Sequence, residues 1–352
     1  MESELQLPPR HPIRRALCIS VKYEHVKDLD TLDTSSYDPP KIRDLLIGKH
    51  VRARKLCENH SPQADVYGWE ESEITILSDD PPGQYELPTR ETMLREMRNL
   101  VQDARPGDRF VFQFSGHGAQ KKNKDGKEKD GYDEVIFPYD VEIDPRDEKL
   151  LQSSNSIMDD EINDILVKSL PGGSQLSMIF DCCHSGTAAD LPHDYEDECT
   201  SPLSPISVPI DDGNPFIRTR KRGFTVRGRD AGSPTVSPVA PSWESDTSTR
   251  SNDKPYVVCW SACKDNQLAF ERPGDTGGGL FVEAFTQALR RNPRHTHNGL
   301  LGHIREIISD IVRESIDYTT FKKYTNPLQL PLNPQWSSNL KIAEIAEDEV
   351  MF

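Results

Sequence analysis

Several features that would assign this 352-residue chain to a special class of protein are missing from its sequence. No apolar run approaches the length of a membrane span. Residues 1–15 are polar and lack the apolar stretch of a secretory signal. Positive charge is scarce, since 42 Lys and Arg face 58 Asp and Glu, for a formal net charge of −16. We therefore expect no membrane partner and no nucleic acid as the main partner, whereas basic substrates or a metal cation suit the charge.

Cysteine is also sparse, with seven residues in the chain. An odd count without a secretory signal predicts reduced thiols inside the cell rather than a disulfide framework. We therefore expect a protein of the cytoplasm, or of the cytoplasm and the nucleus. The chain is long enough to bury a hydrophobic core without disulfides.

Apolar runs that alternate with helical patterns predict the fold class. Continuous apolar runs typical of buried parallel strands occupy 16–21, 74–77, 109–114, 176–180 and 256–260. Amphipathic patterns predict helices at 89–101, with Thr89 as the N-cap, and at 160–170, 278–291 and 300–316. This order predicts an α/β fold with a mainly parallel sheet.

The composition changes between residues 191 and 253, which are rich in Ser, Pro, Asp, Thr and Gly. We interpret this stretch as a long mobile loop. The predicted organisation is a short tail (1–15), a large segment (16–190), the loop (191–253) and a small segment (254–345). The small segment is expected to complete the same sheet and the same domain.

Two of the predicted strands end in residues that carry chemistry. The third strand leads into His117-Gly118, and the fourth leads into Asp181-Cys182-Cys183. Sites gather at the carboxyl ends of strands in an open α/β sheet, so His117 and Cys183 are expected to meet there. An imidazole that takes the thiol proton makes a nucleophilic thiolate. The backbone N–H groups of Gly118 and Cys183 are candidates for binding the resulting oxyanion.

Two other interpretations of these residues stay open on the sequence alone. Free cysteine is usually buried and inert, so His117 and Cys183 are equally compatible with structural roles. A zinc site formed by Cys182, Cys183, His184 and His117 is a further option, although adjacent cysteines do not have the usual ligand spacing. If the strand end is extended, Asp181 and Cys183 share a face, and Cys182 points into the core.

These motifs resemble a known family. Ser115-Gly-His117-Gly and Asp181-Cys-Cys-His-Ser-Gly186 are similar to the two catalytic motifs of type I metacaspases, within the caspase–haemoglobinase fold. Similar motifs at 130–136, 259–265 and 334–338 follow in the same order over most of the chain. The resemblance implies a caspase-like fold with a mostly parallel central sheet flanked by helices. It also implies a monomeric cysteine endopeptidase of the C14 superfamily, with Cys183 as the nucleophile and His117 as the base.

The resemblance also implies a pocket for a basic side chain. Metacaspases prefer Arg or Lys before the cut bond, and a buried carboxylate pairs strongly with such a group. Ser115 and Asp181 match the pocket positions of the family. Asp38 is the best match to a third acid, with Asp44 as a weaker candidate, although Ser35 stands where the family often has cysteine. A helix N-cap is the structural alternative for Asp38.

A calcium site is the cofactor that the resemblance implies. Asp133, Asp159, Asp160 and Asp190 match the aspartates that hold an activating Ca²⁺ in related metacaspases, and carboxylate oxygens suit this ion. Calcium would be a regulator rather than the catalytic Lewis acid. Without the family, the same residues are interpreted as solvated loop charges.

A basic run lies within the long loop of this acidic protein. Residues 218–229 contain no acid, and their cations are Arg218, Arg220, Lys221, Arg222, Arg227 and Arg229. A solvated loop or a nuclear-import or nucleic-acid patch would explain the run. We instead expect these residues to be sites of self-cleavage that activates a zymogen, because exposed basic loops are easily cut.

Two functions of other classes remain as alternatives to a peptidase. One is a catalytically inactive caspase-like scaffold or regulatory protein whose motifs persist as structure. The other is a metal-binding redox protein that uses Cys182 and Cys183.

Overall fold

The computed structural model describes ten stretches of the chain: residues 10–27, 29–48, 67–122, 132–143, 153–182, 189–195, 253–263, 271–272, 277–315 and 333–352. Cys183 and the basic residues of the run 218–229 lie outside these described residues. The interpretation of 191–253 as a mobile loop also falls almost wholly outside them and stays a prediction.

A seven-stranded sheet forms the centre of the described part of the chain, in the order β2-β1-β3-β7-β9-β12-β8. The first five of these strands run parallel, and β12 runs antiparallel to both of its neighbours. Their bounds are β1 Arg14–Ser20, β2 Ile74–Ser78, β3 Arg109–Ser115, β7 Gln175–Asp181, β8 His193–Asp194, β9 Tyr256–Ser261 and β12 Gln335–Ser338.

Two smaller sheets lie beyond the central one. The first is antiparallel and contains β4 Gly118–Lys122, β5 Tyr132–Ile136 and β6 Ile157–Met158. The second pairs β10 Glu271–Arg272 with β11 Gly278–Gly279. Because β4 begins three residues after β3 ends, the small sheet continues directly from the rim that carries His117.

Six α-helices lie among the described residues. They are α1 Asp38–Ile47, α2 Arg90–Val101, α3 Asp159–Ile162, α4 Leu280–Arg291, α5 His297–Ser315 and α6 Ile342–Ile345. Thr89 caps α2 as predicted, because its side chain accepts a hydrogen bond from the backbone of Thr92. No described helix is both long enough and apolar enough to cross a membrane.

Strand alternation builds a hydrophobic core on each face of the sheet. In β3, Val111 packs with α1, α4 and α5 on one face, whereas Phe110, Phe112 and Phe114 pack with α2 on the other. Both faces of the parallel strands are buried, which explains their continuous apolar sequences. The predicted α/β fold with helices flanking a mostly parallel sheet is confirmed.

Two predicted helices differ from the structure in their details. The helix expected over 160–170 consists of α3 followed by a π-helical turn, Asn163–Val167. The Asn163 side chain reaches out of this turn and donates to the backbone oxygens of Ala189 and Asp190. The helix expected from 278 begins at Leu280, because Gly278 and Gly279 form β11 and approach the strand ends closely.

Candidate active site

The carboxyl ends of β3 and β7 meet at one rim of the sheet, where both strands end in a polar residue. The register pairs Ser115, the last residue of β3, with Asp181, the last residue of β7. His117 follows two residues after the end of β3, and the chain position of Cys183 is two residues after the end of β7. The ends of these two adjacent strands therefore bear both members of the predicted pair.

Backbone and tyrosine contacts fix the position of His117. Its Nε2 lies 2.7 Å from the carbonyl oxygen of Asp30. Its backbone N–H donates to the Tyr23 hydroxyl at 3.0 Å, and its carbonyl accepts from the N–H of Phe137. The rings of Tyr23 and His117 also contact each other, with their centroids 4.8 Å apart. The imidazole is thus held from two sides before any substrate binds.

The contact with Asp30 determines which imidazole nitrogen can act as a base. A carbonyl oxygen only accepts hydrogen bonds, so Nε2 of His117 carries the proton in the neutral ring. Nδ1 is then the nitrogen with a lone pair for a thiol proton. Burial lowers the pKa of His117 below its ordinary value, although the Asp30 carbonyl opposes part of this effect. The ring is therefore neutral near pH 7.

Tyr23 is a site residue that no pattern in the sequence indicated. It is buried and takes a positive φ of 62°, and its hydroxyl donates to the Phe137 carbonyl at 2.5 Å. The carboxylate of Asp79 accepts from the backbone N–H groups of Lys22 and Tyr23, which stabilises this turn. Gly116 must lack a side chain, because a Cβ there would lie 2.7 Å from the Tyr23 hydroxyl.

Gly118 begins β4, and its register leaves its N–H available to a ligand. Gly118 pairs with Ile136, and the adjacent hydrogen bond runs from the Phe137 N–H to the His117 carbonyl. Gly118 is therefore the non-hydrogen-bonded member of the ladder, and its N–H points away from β5. This direction is compatible with the predicted role in binding an oxyanion.

Cys182 and Asp181 point to opposite faces at the end of β7. Cys182 is buried among the apolar side chains of the α2 face, together with Phe180 and Leu191. The Asp181 carboxylate instead accepts from the Val282 N–H of α4 at 2.9 Å. The prediction that Cys182 points into the core is therefore confirmed. The side chain of Cys183 lies outside the described residues.

Asp38, Ser115 and Asp181 come together in one buried pocket, although the three lie far apart in the sequence. The Ser115 hydroxyl donates to Asp38 at 2.7 Å, and it accepts from the Gln113 side chain. A Cβ added at Gly279 would touch both carboxylates, so Asp38 and Asp181 face the same small space. The three residues predicted to read a basic side chain thus form a single cluster.

The N-cap alternative for Asp38 is wrong. Tyr37 holds the N-cap position of α1, and no side chain caps this helix. The Asp38 carboxylate turns away from the helix and accepts from the Gly279 N–H, at 3.0 Å to each oxygen. Ser35, where the family often has cysteine, donates to the carbonyl of Val21 instead.

Two buried carboxyl groups, those of Asp38 and Asp181, share this pocket, and the ammonium of Lys41 lies beside them. Burial raises the pKa of Asp38 well above its usual range, and the nearby Asp181 raises it further. Lys41 opposes this shift, with its ammonium 4.0 Å from the Asp38 carboxylate. The same ammonium donates to the Gly277 carbonyl at 2.7 Å and pairs with Glu283 at 2.5 Å. Any further cation in the pocket would lower the Asp38 pKa in the same way as Lys41 does.

The small segment supplies the amide donors of this pocket. The N–H groups of Gly279 and Val282, at the start of α4, are directed at the two carboxylates. A helix N-terminus favours such negative charge. These donors were not predicted from the sequence, although the run Gly277-Gly278-Gly279 is a signal of close backbone approach.

The four aspartates predicted to bind calcium occupy two neighbouring elements and a loop. Asp133 lies in β5, Asp159 and Asp160 begin α3, and Asp190 has a positive φ of 43°. Burial, reinforced by Glu134, raises the pKa of Asp159 to about 8 despite hydrogen bonds from two backbone N–H groups. This excess of buried acid suits a cation. Among the described residues, however, no three potential ligand side chains converge to form a ready-made metal site.

The family of this chain follows from a comparison of its sequence with family models. Residues 14–192, which include the strand ends of the site, match the model of the metacaspase, peptidase C14 domain. The chain belongs to the metacaspase family. Among the curated metacaspases similar to it, that of Yarrowia lipolytica (metacaspase-1) is 34% identical over 286 residues, which is 76% of this chain and 59% of the relative.

Other fungal metacaspases give the same result. Metacaspase-1 of Cryptococcus neoformans is 30% identical to this chain, and the alignment covers 83% of this chain and 59% of the relative. Metacaspase-1 of Schizosaccharomyces pombe is 33% identical, and the alignment covers 69% of this metacaspase and 56% of the relative. The present chain thus spans a little under three fifths of the length of these relatives.

Solved structures similar to this metacaspase have low sequence identity to it. A protein from Geobacter sulfurreducens is 14% identical with a TM-score of 0.47, and the similarity covers 93% of each chain. The structure of pro-sf-caspase-1 is 10% identical with a TM-score of 0.43, and the similarity covers 97% of this chain and 94% of the other.

Proposed function

We propose that this metacaspase is a cysteine endopeptidase in which Cys183 attacks the peptide carbonyl and His117 transfers the protons. The observation that carries the proposal is the held imidazole: Asp30 fixes the proton on Nε2 and leaves Nδ1 as the base. Family membership and the position of Cys183 beyond the end of β7 support the same assignment. A scaffold role would not need a histidine whose tautomer is fixed in this way.

The proposed reaction proceeds in two stages. Nδ1 of His117 takes the thiol proton, and the thiolate adds to the carbonyl carbon, whose oxygen becomes the oxyanion. The Gly118 N–H, which points away from β5, and the Cys183 N–H stabilise that oxyanion. The imidazolium returns its proton to the leaving amine as the carbon–nitrogen bond breaks. A water molecule, deprotonated by His117, then hydrolyses the thioester and releases the thiol.

We further propose that the residue before the cut bond is Arg or Lys. The cluster of Asp38, Asp181 and Ser115 supports this preference, since two buried carboxyl groups face the same small space. A guanidinium or ammonium supplied by the substrate would pair with them in a site that excludes water. An acidic side chain would meet two like charges there, which disfavours cleavage after Asp.

A fluorogenic substrate panel with Arg, Lys or Asp before the reporter tests both statements. We expect cleavage after Arg and Lys, at least 100-fold faster than after Asp, and its loss in the variants Cys183→Ala and His117→Ala. Asp38→Asn should raise KM for the Arg substrate by tenfold or more, because about 1.4 kcal/mol of lost binding is a factor of ten. The matched control is Asp44→Asn, on the same helix but paired with Arg43. Preference for Asp, or equal effects of both Asn variants, would contradict the pocket assignment.

We propose calcium as an activator of this enzyme. The buried acids around Asp159, one of them with a raised pKa, support a divalent cation. Bound calcium would supply positive charge that holds the acids together. Thermal unfolding with and without millimolar Ca²⁺ gives a readout besides activity. We expect Ca²⁺ to raise the Tm of the wild-type protein but not that of Asp159→Asn, with Mg²⁺ as the control ion. An unchanged Tm of the wild-type protein in Ca²⁺ would contradict the proposal.

We also propose that the enzyme cuts its own chain within the basic run of residues 218–229. Arg and Lys in this run match the proposed preference of the pocket. Intact-mass measurement of the reduced protein in Ca²⁺ should give two fragments, and Cys183→Ala should stay uncut. A variant with the six basic residues replaced by Gln controls for cleavage elsewhere. Two fragments from that variant as well, with masses that differ from the wild-type fragments only by the six substitutions, would place the cut outside the run.

A further inference from the structure

A second pocket is lined by chain segments that lead to the residues around His117, and the proposed catalysis does not use it. Its volume is about 460 Å³, and two chain segments line it, residues 25–27 and 139–143. This volume is within the range of small-ligand sites and is large enough for one or two amino-acid side chains. Val141 belongs to the apolar core of the α2 face, and Tyr139 packs against that core. The core therefore holds this side of the pocket in place.

Both walls of this pocket continue from the segments that hold His117. On one wall, residues 25–27 lie between Tyr23 and Asp30, which contact the backbone and the ring of His117. On the other wall, residues 139–143 follow Phe137, whose N–H donates to the His117 carbonyl. The Val26 N–H donates to the Tyr23 carbonyl at 3.0 Å and ties the first wall to the same turn. The pocket therefore lies only a few residues from the catalytic base on each side.

The acidic pocket and this second pocket belong to opposite faces of the sheet. Asp38 begins α1, whose Ile42 and Leu45 pack into the core of the α4 face. Val26 and Tyr139 pack against the core of the α2 face. A peptide with one side chain beside Asp38 and its scissile bond at His117 must therefore pass the rim of the sheet to reach the second pocket.

Charge and ring geometry suggest which side chain this pocket takes. The residues that line the pocket include two exposed acids, Asp140 and Glu142, and one exposed lysine, Lys27, so the lining itself carries a net negative charge. One oxygen of each acid accepts a hydrogen bond, from the Arg90 N–H and from the Ser154 hydroxyl, and the second oxygen can pair with a cation. The His25 ring stacks on Tyr139 with the centroids 3.7 Å apart, and its Nε2 is bonded to the Tyr139 carbonyl at 2.8 Å. This pair presents a flat, fixed surface beside the carboxylates. Arginine matches both features, because its planar cation stacks on rings and pairs with acids.

We propose that this pocket binds an Arg or Lys side chain within the first two residues of the leaving peptide, after the cut bond. The inference rests on the proposed function, because it places that peptide relative to His117. It predicts that favoured substrates carry basic residues on both sides of the cut. The consecutive Arg220-Lys221-Arg222 of this chain satisfy that requirement.

Two substrate types test the proposal separately from the proposed function. A peptidyl-arginine dye substrate has no residues after the cut bond. Internally quenched peptides with Arg, Ala or Glu in the first and second positions after the cut report on the leaving side. For the wild-type enzyme we expect kcat/KM to be at least tenfold higher with Arg than with Glu in one of these positions.

Variants of the pocket should remove that discrimination. In Glu142→Gln and in His25→Ala the Arg-to-Glu ratio should fall to within about threefold, and the loss on the Arg peptide should exceed the loss on the dye substrate. Glu24→Gln is the matched control, because Glu24 is exposed on the same loop and lies outside the pocket. An equal loss on both substrates, or a wild-type ratio near one, would overturn the proposal. If the dye substrate is not cleaved at all, the proposed function itself fails.

Discussion

At the scale of single residues, the acid–base properties of the site come from neighbours that lie far away in the sequence. Burial and the Asp30 carbonyl act in opposite directions on His117, and burial prevails, so the pKa of His117 is lowered. Burial and Asp181 act in the same direction on Asp38 and raise its pKa, while Lys41 limits the effect. These opposite shifts make His117 a base and Asp38 an acid that ionises reluctantly.

The pH dependence of catalysis should separate these two groups. His117 must be neutral to accept the thiol proton, and its pKa is lowered, so kcat should stay constant as the pH falls to its ordinary pKa of 6.5 and decrease only below it. Protonation of Asp38, whose pKa is raised, should instead increase KM for Arg substrates. Initial rates at saturating and limiting substrate between pH 5 and 9 measure both. A kcat that already falls between pH 8 and 7 would contradict the lowered pKa of His117.

Lys41 should tune the affinity of the pocket without taking part in the chemistry. Its positive charge lowers the Asp38 pKa, so Lys41→Met should raise that pKa further and move the increase in KM to higher pH. The groups that face Lys41 are Asp38 of its own helix, Glu283 of α4 and the Gly277 carbonyl. Lys41→Arg keeps the charge and should restore most of the affinity near pH 7. An unaltered KM profile in Lys41→Met would show that Asp38 does not sense this charge.

The Tyr23 hydroxyl should matter for turnover more than for binding. Tyr23→Phe leaves the backbone N–H of His117 and the carbonyl of Phe137 without their shared partner. A buried group left unsatisfied costs on the order of 1–3 kcal/mol, which corresponds to a loss in kcat of roughly tenfold or more if the ring shifts. KM for the Arg substrate should change less than twofold. A variant with normal kcat would mean that the rest of the turn suffices to position His117.

At the scale of secondary-structure elements, the function depends on where strands and helices end. The sequence predicted the five parallel strands because each is a continuous apolar run, and it predicted His117 beyond one of their ends. The predictions of the strands and of His117 succeeded because strand ends and glycine motifs are local signals. The shared pocket of Ser115 and Asp181 was instead implied by the resemblance to metacaspases.

Contacts between distant elements were not predictable in the same way. Nothing local to Tyr23 or Asp30 indicates that they hold His117, because the contacts depend on how the chain turns after β1. The N-terminus of α4 reaches the pocket from the small segment, and its two amide donors are backbone atoms. Only the tertiary fold determines which carboxylates they meet.

The close approach of α4 to the pocket requires glycine at one position. Gly279→Ala would place a methyl group against the carboxylates of Asp181 and Asp38, so we expect at least a 100-fold loss of kcat/KM on the Arg substrate. Gly302→Ala is the matched control, because a Cβ at this position in α5 meets no atom within 4 Å. It should increase the unfolding free energy by roughly 0.5–1 kcal/mol, as expected for Gly→Ala within a helix. Full activity in Gly279→Ala would mean that the pocket does not read the substrate.

At the scale of the whole molecule, the central sheet joins the two segments that the sequence analysis separated. Strand β9 of the small segment pairs in parallel with β7 along six residue positions. The first pair is Gln175 with Tyr256, and the last is Phe180 with Ser261. Val258, Trp260 and α4 then pack into the same core as β1 and β3. The match to the metacaspase model ends at residue 192, so the pocket amides of Gly279 and Val282 lie beyond the matched region.

The pairing of β7 with β9 has a consequence for the chain once its backbone is broken. A cut between residues 195 and 253 severs a covalent link, but it leaves the ladder, the shared core and both halves of the acidic pocket intact. The two fragments should therefore elute together in size-exclusion chromatography under native conditions and separate in 6 M guanidinium chloride. The acidic pocket should persist as well, because its contacts among the described residues join Asp38, Ser115, Asp181, Gly279 and Val282 without using that link. Cleavage would then convert one polypeptide into a stable noncovalent complex of two fragments rather than unfold it.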